Sequence, residues 1–268
     1  MIVGGSADIA ENDIPRVRVG AVDVMALTEP QVGEHVAAAW RRGRGGSIVT
    51  ANVDIVHKAT GDPALAALVA DAELVVADGM PLVWAARLAG TPLPTRVTGA
   101  SLVFSLSGRA AEEGRAVFLL GGEPGVPEEA GRVLAARYPG LRVAGAYSPP
   151  FGFDADPGAL RETVEKVVAA APDLVLVGLG FPKQERLIAE LRPLLPSAWY
   201  LGCGAGIPMA AGRFQRAPTG LQRVGGEWLY RLWLEPRRLA RRYLRDDLPF
   251  ALRVLTAAAW KRLAGRLS

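Results

Sequence analysis

The sequence predicts an α/β fold, a mostly parallel sheet with helices on both faces, followed by a helical C-terminal appendage. Two observations lead to this prediction. Short aliphatic runs that are apolar throughout recur in the first 212 residues, which is typical of strands buried on both faces of a parallel sheet. Segments of helical length, rich in Ala, Leu, Glu and Arg, separate these runs. The alternation favours βαβ units with right-handed crossovers.

The individual elements follow from the same patterns. The predicted strands are Val17–Val24, Ser47–Thr50, Leu74–Ala77, Ala116–Leu120, Leu141–Ala144, Leu174–Val177 and Ala198–Leu201. The predicted helices are Pro30–Arg42, Ala64–Ala70, Ser101–Glu113, Pro127–Arg137, Gly158–Ala171 and Pro182–Leu195. Strands and helices alternate in this order, so the predicted fold class is Rossmann-like, and residues 1–212 are predicted to form one α/β core without internal repeats.

The pattern changes after Gly212. Residues 213–268 are predicted to be a basic helical appendage, because they carry 13 Arg and Lys against 4 Asp and Glu, a net charge of +9. Residues 1–212 carry −5, and the whole chain carries +4. A last helix is predicted over Phe250–Leu267. Its predicted apolar face consists of Leu252, Leu255, Ala259 and Leu263. A basic segment beside an acidic body indicates that the segment alone meets an anionic partner.

Composition excludes several classes of protein. The single cysteine, Cys203, rules out an internal disulfide framework, and with two histidines a structural zinc site is not expected. The N-terminus lacks the basic region and the long apolar core of a secretory signal. The longest uncharged stretch, Pro193–Gly212, contains three prolines and four glycines and is typical of loops and a strand. We therefore expect a cytoplasmic protein that does not cross a membrane.

Polar residues and glycines concentrate where the predicted strands end. The five segments are Thr50–Asn52, Asp78–Pro81, Gly121–Gly125, Gly178–Glu185 and Gly202–Gly206. Ligands of open parallel sheets bind outside the carboxyl ends of the strands, so five such loops predict a site for a nucleotide or a phosphate. No loop matches G-x-G-x-x-G or a P-loop. Any single glycine is explained as well by a tight turn with positive φ.

Asp78 is the carboxylate of greatest interest. It follows a predicted strand and precedes a helix that begins near Pro81, so it is either a helix N-cap or a general base, and the spacing does not decide between them. Gln184, at the start of a helix that shares its strand end with a glycine loop, is either a solvated first-turn residue or a hydrogen-bonding partner of a sugar or phosphate. Asp154 and Asp156 resemble a metal-binding pair, but their position before a helix favours capping.

The remaining reactive side chains are not expected to be catalytic. His35 and His57 lie in helical patterns and are predicted to be surface residues. Cys203 lies between two glycines without an obvious histidine partner, which favours a small residue in a tight loop over a nucleophile.

A set of short motifs, taken in order, is similar to one bacterial family. The motifs are Thr50-Ala51-Asn52, Ala77-Asp78-Gly79-Met80-Pro81-Leu82-Val83-Trp84, Arg96-Val97-Thr98-Gly99, Phe118-Leu119-Leu120-Gly121-Gly122, Gly178-Leu179-Gly180-Phe181-Pro182-Lys183-Gln184-Glu185, Arg216-Ala217-Pro218 and Glu227-Trp228-Leu229-Tyr230-Arg231. Together they resemble the WecG/TagA/CpsF family of bacterial glycosyltransferases. The resemblance implies an inverting enzyme of cell-surface polysaccharide or teichoic acid synthesis. Such an enzyme moves a sugar of the N-acetylmannosamine type from a UDP-sugar to a GlcNAc-type acceptor on undecaprenyl diphosphate.

The resemblance also implies roles for individual residues. Asp78 matches the proposed catalytic base of the family. The residues expected to bind substrate are Thr50, Asn52, Arg96, Gln184, Arg231, Arg238 and Arg241. Those expected on the nucleotide side are Gly121, Gly122, Gly178, Gly180, Gly202, Gly204 and Arg216. No metal or other cofactor is expected, since the UDP-sugar is a co-substrate.

The implied partners are the UDP-sugar donor, the lipid-linked acceptor and the inner face of the bacterial plasma membrane. Peripheral association through the basic C-terminal segment agrees with physical chemistry, because arginine binds phosphate bidentately and each basic residue near an anionic surface contributes ~1 kcal/mol. A homo-oligomer is left open, and nucleic acid is not an expected partner.

Three alternatives to this function stay open from the sequence. Within the family, the chain could be a glucuronosyltransferase or another hexosyltransferase of exopolysaccharide synthesis. Outside it, the alternatives are a nucleotide-dependent oxidoreductase and a basic nucleic-acid-binding protein. The missing G-x-G-x-x-G argues against the oxidoreductase, and the acidic body argues against the nucleic-acid-binding protein.

Overall fold

The computed structural model describes residues 14–213, 217–218, 220–221, 226, 230, 232–233, 244–245 and 247–264. A six-stranded sheet in the order β4-β3-β8-β7-β5-β6 forms its centre, and every strand pair in it is parallel. A separate antiparallel hairpin, β1-β2, precedes it. The predicted α/β, Rossmann-like fold is confirmed.

The strands and helices alternate through most of the chain. The strands are β1 (Arg16–Val19), β2 (Val22–Met25), β3 (Gly46–Ala51), β4 (Leu74–Ala77), β5 (Ala116–Gly121), β6 (Arg142–Tyr147), β7 (Leu174–Gly178) and β8 (Trp199–Gly202). The α-helices are α1 (Glu29–Arg41), α2 (Val53–Gly61), α3 (Pro63–Ala70), α4 (Met80–Ala89), α5 (Gly99–Glu112), α6 (Val126–Arg137), α7 (Pro157–Ala170), α8 (Lys183–Leu191), α9 (Gly206–Ala210) and α10 (Leu248–Ala264). A short 3₁₀ helix covers Phe153–Ala155.

Helices cover both faces of the sheet, which explains why its strands are apolar throughout. Helices α1, α5, α6 and α9 cover one face and form the largest core cluster with it. On the other face, α7 and α8 pack against the β5-β7-β8 half. The hairpin and helices α2, α3, α4 and α10 pack against the β3-β4 half. The connection after β5 therefore leaves on one face and the connection after β7 on the other, so a topological switch point lies between these strands.

The predicted strands agree with the structure except at the start. The run Val17–Val24 was predicted as one strand, and this prediction is wrong, because the chain reverses at Gly20 and Ala21 and pairs with itself. Gly20 has φ +58°, a left-handed conformation that a glycine adopts without steric cost. The hairpin places Val17, Val19, Val22 and Val24 in the core.

Helix α10 confirms a C-terminal helix but corrects its predicted apolar face. The helix packs on α4 and contacts α2. It buries Phe250 and Ala251 and partly buries Val254, Leu255 and Ala258. Leu252 is instead 55% exposed, because the position of α4 sets which side of α10 is covered. The division of the chain into a core over residues 1–212 and an appendage over residues 213–268 stays a prediction.

Candidate active site

The loops predicted to form the site meet at one edge of the sheet. The register pairs Ala51 with Ala77, Val49 and Val177 with Gly202, and Gly121 with Gly178, so five strands end side by side. Asp78 lies at the β4 end and Gly121 at the β5 end. Four strand spacings separate them, a span of ~19 Å. We refer to this row of strand ends as the cleft, and Asp78 lies near one end of it.

Asp78 is held by the backbone around it. Its N–H donates to the carbonyl oxygen of Ala51 at 2.7 Å. Its carboxylate Oδ2 accepts a hydrogen bond from the N–H of Gly99 at 3.1 Å. Gly99 is the first residue of α5, and the positive end of the helix dipole favours an ionised carboxylate there. The N-cap interpretation is therefore wrong, since Gly79 is the N-cap of α4 and no side chain caps that helix. The carboxylate stays partly exposed, and its role as a general base stays a prediction.

Three residues predicted to bind substrate lie at or next to the ends of β3 and β4, where Asp78 also lies. Thr50 is buried, and its hydroxyl donates to the carbonyl oxygen of Gly202 at 3.2 Å, which ties β3 to β8. Asn52 caps α2, because its Oδ1 accepts from the N–H of Ile55 at 3.0 Å. Arg96 is half-buried beside the β4 end, where the next residue, Val97, donates to Ala77 at 2.8 Å. The structure therefore places Thr50, Asn52 and Arg96 on the same part of the sheet edge as Asp78.

The glycines of the edge allow backbones to approach each other closely. A Cβ atom at Gly121 would lie 2.6 Å from the carbonyl oxygen of Gly178. A Cβ atom at Gly178 would lie 2.8 Å from the carbonyl oxygen of Gly204. Because real Cβ atoms do not approach so closely, the contact between these loops requires glycine whether or not a nucleotide binds.

Three further glycines of the edge have positive φ. Gly122, Gly180 and Gly204 have φ values of +92°, +77° and +50°, in the left-handed region. The turn interpretation of single glycines therefore holds here, and nucleotide binding by these loops stays a prediction.

Gln184 is placed differently from its predicted role. Its side chain is only 3% exposed. Its Oε1 accepts from the N–H of Gly180 at 3.1 Å and from the N–H of Gly204 at 3.3 Å. Its Nε2 donates to Oε1 of Glu185 at 2.8 Å. Gln184 thus joins the β7–α8 and β8–α9 loops from inside, and this geometry does not present its amide to a sugar or a phosphate.

Glu185 is a buried acid that the sequence did not single out. It is 4% exposed, and its Oε2 has no hydrogen-bond partner among the described residues. Burial raises the pKa of Glu185 to about 7, although the hydrogen bond from Gln184 and the charge of Lys58 act in the opposite direction. A glutamate in the first turn of a helix normally indicates a solvated residue. Its low exposure and its packing against Gly202, where a Cβ atom would lie 3.0 Å from Oε1, show that it is internal.

An exposed corner lies where the segment after β6 meets the start of α8. Phe151 is fully exposed, and Nζ of Lys183 lies 5.9 Å from the centroid of its ring. Lys183 also forms an ion pair with Asp154 at 2.7 Å, which lowers the pKa of Asp154. Ser148 connects this corner to the glycine loop by donating to the carbonyl oxygen of Gly122 at 2.6 Å.

The structure also settles the minor candidates that it describes. Asp156 caps α7 by accepting from the N–H groups of Gly158 and Ala159, as predicted. Cys203 is buried, and burial raises the pKa of its thiol to about 12, which agrees with a packing role and not with a nucleophile. The two histidines are half-buried and pack on aromatic rings, so their prediction as surface residues is wrong. His57 stacks on Phe250 at 4.6 Å, and His35 meets the ring of Trp199 edge-on.

Four predicted arginines, Arg216, Arg231, Arg238 and Arg241, lie outside the described residues. Within the described residues, no three His, Cys, Asp or Glu side chains group as a metal site would require. The helices described there are also too short or too polar to span a bilayer.

Comparison with known proteins identifies the family. The profile of the Glycosyl transferase WecG/TagA/CpsF family matches residues 17–264. The chain belongs to this family of glycosyl transferases. A similar relative is N-acetylglucosaminyldiphosphoundecaprenol N-acetyl-beta-D-mannosaminyltransferase from Bacillus spizizenii, which is 34% identical over 200 residues, 75% of this chain and 76% of the relative. Membership makes the chain a glycosyltransferase and removes the oxidoreductase and nucleic-acid-binding alternatives.

Proposed function

We propose that this WecG/TagA/CpsF transferase moves N-acetylmannosamine from a UDP-sugar to N-acetylglucosamine linked to undecaprenyl diphosphate. The observation that carries the proposal is the relative from Bacillus spizizenii, which aligns with three quarters of the chain and whose name specifies the transferred sugar and the lipid-linked acceptor. The cleft supports it, because one carboxylate at the end of a long glycine-lined edge fits a single displacement between two extended substrates.

Asp78 acts as the general base in this proposal. The hydroxyl of the acceptor sugar attacks the anomeric carbon of the donor and gives its proton to the Asp78 carboxylate. The bond between the anomeric carbon and the β-phosphate oxygen breaks, and UDP leaves with the electron pair. The configuration at the anomeric carbon inverts, since there is one displacement. The hydrogen bond from Gly99 to Oδ2, 3.1 Å long, fixes the carboxylate for this task.

The donor is proposed to lie along the β8, β7 and β5 ends. The N–H groups of Gly180 and Gly204 already donate to Gln184. In this proposal these two glycines therefore shape the surface on which the donor lies and do not donate hydrogen bonds to it. Charge for the diphosphate is proposed to come from Arg96 and from the basic residues Arg216, Arg231, Arg238 and Arg241, because arginine pairs with phosphate bidentately. No cofactor is part of the proposal.

The acceptor is a lipid, so we also propose that the protein acts at the membrane surface. Helices α4 and α10 pack together and carry exposed apolar side chains, namely Trp84, Leu88, Leu248, Leu252 and Trp260. Arg87 and Arg262 lie beside them, where the Arg262 guanidinium donates to the carbonyl oxygen of Arg87. Exposed apolar groups mixed with basic residues are typical of a surface that binds anionic lipid.

A panel of UDP-sugars tests the proposal directly. Purified protein is incubated with each donor and a short-chain prenyl-diphosphate GlcNAc acceptor, and the release of UDP is followed. We expect the fastest release with UDP-N-acetylmannosamine, none without acceptor, and a β-linked disaccharide product. Faster release with UDP-glucuronic acid or another hexose donor would replace the proposed sugar. Failure of every donor would overturn the proposed reaction.

A further inference from the structure

Gln184 and Glu185 form a buried hydrogen-bonded pair beneath the cleft. The amide oxygen of Gln184 accepts from two loops, and its Nε2 donates to Oε1 of Glu185 at 2.8 Å. If the side-chain amide of Gln184 were rotated by half a turn, its NH₂ group would face the N–H groups of Gly180 and Gly204. Hydrogen-bond donors would then oppose each other. A carboxylate at Nε2 allows only the orientation in which the oxygen faces both glycines. The carboxyl of Glu185 therefore adds to the two glycine N–H groups in stabilising the amide orientation that connects the loops.

The side chains of Gln184 and Glu185 also pack closely against the end of β8. A Cβ atom at Gly202 would lie 2.6 Å from Nε2 of Gln184 and 3.0 Å from Oε1 of Glu185. The carbonyl oxygen of Gly202 in turn accepts from the hydroxyl of Thr50. A Cβ atom at Gly99 would lie 3.1 Å from Oγ1 of Thr50, and the N–H of Gly99 donates to the carboxylate of Asp78. Close packing and hydrogen bonds thus connect the surroundings of Glu185 with those of the Asp78 carboxylate.

Nothing in the fold alone requires a carboxyl at this place. Charged groups are rarely buried without full pairing, because desolvation disfavours the ionised form. Here one oxygen has its partner and the other has none among the described residues. The charged groups that face Glu185 are few. Lys58 of α2 influences it from a distance, while its ammonium pairs with Asp54 at 2.9 Å. Among the described residues, the buried thiol of Cys203 is a second ionisable group near Glu185.

We propose that Glu185 is a positioning residue for the donor: its buried carboxyl fixes the amide of Gln184 and thereby holds the β7–α8 and β8–α9 loops together. The link to the donor rests on the proposed function, which places the nucleotide on these loops. Glu185 touches no reacting atom and acts only through Gln184.

Glu185→Met tests this proposal with a folded protein. Methionine fills the same space and removes the acceptor, which leaves the buried Nε2 of Gln184 without its hydrogen-bond partner. We therefore expect the melting temperature at pH 8 to fall by a few degrees while the variant stays folded. The KM for the UDP-sugar should nevertheless increase about tenfold, because loops displaced by a fraction of an ångström bind the donor less well. The KM for the acceptor should stay unchanged.

Two matched variants complete the comparison. Glu185→Gln keeps an oxygen that accepts from Nε2 of Gln184 and should restore the donor KM to within about threefold. Glu190→Met changes an exposed glutamate of the same helix and should alter neither KM. A donor KM that is unchanged in Glu185→Met, or one that Glu185→Gln does not restore, would overturn the positioning role.

Hydrogen exchange separates this proposal from the proposed reaction. The N–H groups of Gly180 and Gly204 donate to Gln184, so their exchange in the free protein reports the loop contact without any substrate. Peptides over residues 178–186 and 202–206 should exchange about tenfold faster in Glu185→Met and at the unmodified rate in Glu190→Met. Unchanged exchange would refute the proposal even if the enzyme is active, and faster exchange would support the loop contact even if no donor in the panel reacts.

Discussion

The carboxylate of Asp78 accepts a hydrogen bond from the backbone N–H of Gly99, 21 residues away, at 3.1 Å. The contact connects the end of β4 to the first turn of α5. It gives the proposed base a fixed direction and a favourable helix-end position, and it ties the geometry of the site to the packing of two helices.

Replacement of Asp78 by Asn removes the proposed base but keeps a side-chain oxygen that accepts the hydrogen bond from Gly99. The amide oxygen of Asn accepts from Gly99 as the carboxylate does, so the melting temperature and UDP binding should change little. Turnover should fall by about two to four orders of magnitude, because an amide cannot take the proton of the acceptor hydroxyl. UDP release and calorimetric UDP binding measure the two effects. Near-normal turnover would remove Asp78 from the role of base.

Gly99→Ala should destabilise the protein although alanine favours helices. Its Cβ would lie 3.0 Å from Cα of Cys203 and 3.1 Å from Oγ1 of Thr50, so the strand-end loops must move. We expect a loss of about 1–3 kcal/mol in the free energy of unfolding. Gly33→Ala in α1 is the control, since a Cβ there meets no atom within 4 Å. It should stabilise by about 0.5–1 kcal/mol. Chemical denaturation of both variants checks this, and equal effects would contradict it.

The pH dependence of stability should report the ionisation of Glu185. Its pKa is about 7 in the folded protein and 4.5 in its ordinary state. The favourable contribution of the neutral form is therefore fully present below pH 4.5. It is lost as the pH rises from 4.5 through about 7, because the unfolded chain has then released a proton that the folded chain still holds. The loss is on the order of 3 kcal/mol.

Glu185→Gln cannot ionise and should escape this loss. The free energy of unfolding of the variant, relative to the unmodified protein, should rise between pH 4.5 and pH 8 by an amount on the order of 3 kcal/mol. Urea denaturation at several pH values measures this difference. Glu190→Gln, at an exposed position of the same helix, should show no such trend. Parallel pH curves for Glu185→Gln and the unmodified protein would show that the carboxyl ionises normally.

Vesicle binding tests the proposed membrane surface. Trp260 is 75% exposed and Leu252 is 55% exposed on α10. Trp260→Ala and Leu252→Ala should each weaken binding to anionic vesicles severalfold to a hundredfold, since a buried apolar side chain contributes about 1.5–3 kcal/mol. Leu194→Ala is the matched control. Leu194 is 52% exposed, but it follows the C-terminal end of α8 and is not part of α10. Cosedimentation gives the affinities. Equal binding of all three variants would exclude α10 from the contact.

Phe151 offers a test of the donor side of the cleft. The ring is fully exposed next to Lys183 at the strand-end edge. An exposed ring at a nucleotide site stacks with a base, and such stacking contributes about 1–3 kcal/mol. Phe151→Ala should therefore raise the KM for the UDP-sugar by about fivefold to a hundredfold and leave kcat nearly unchanged, whereas Phe151→Tyr should not. An unaffected KM would place the base elsewhere.

Much of the fold was predictable because its strands are buried on both faces. Runs such as Leu74–Ala77 and Leu174–Val177 lie within a residue of the observed strands. The hairpin was missed because valines on both sides of Gly20 continue one apolar pattern, and only the positive φ of Gly20 reverses it. The packed face of α10 could not be read either, because α4, more than 150 positions earlier in the chain, determines it.

The site was predictable in outline but not in its internal contacts. Asp78, Thr50 and Asn52 follow strands, so their meeting at one edge follows from parallel topology. The inward direction of Gln184 and the burial of Glu185 depend on close packing against the end of β8, which their local sequence does not show. A charged residue in the first turn of a helix has no local signature of burial.

The order of the strands has a consequence for how this enzyme is made. The pairing of β3 with β8 joins residues 152 positions apart, as the bond from Thr50 to Gly202 shows. During synthesis, β3 and β7 each keep one unpaired edge until β8 has left the ribosome. Such edges are where chains aggregate. A truncation before Trp199 would leave the half that holds Asp78 without its partner strand, so nascent fragments of this transferase need protection that the complete sheet does not.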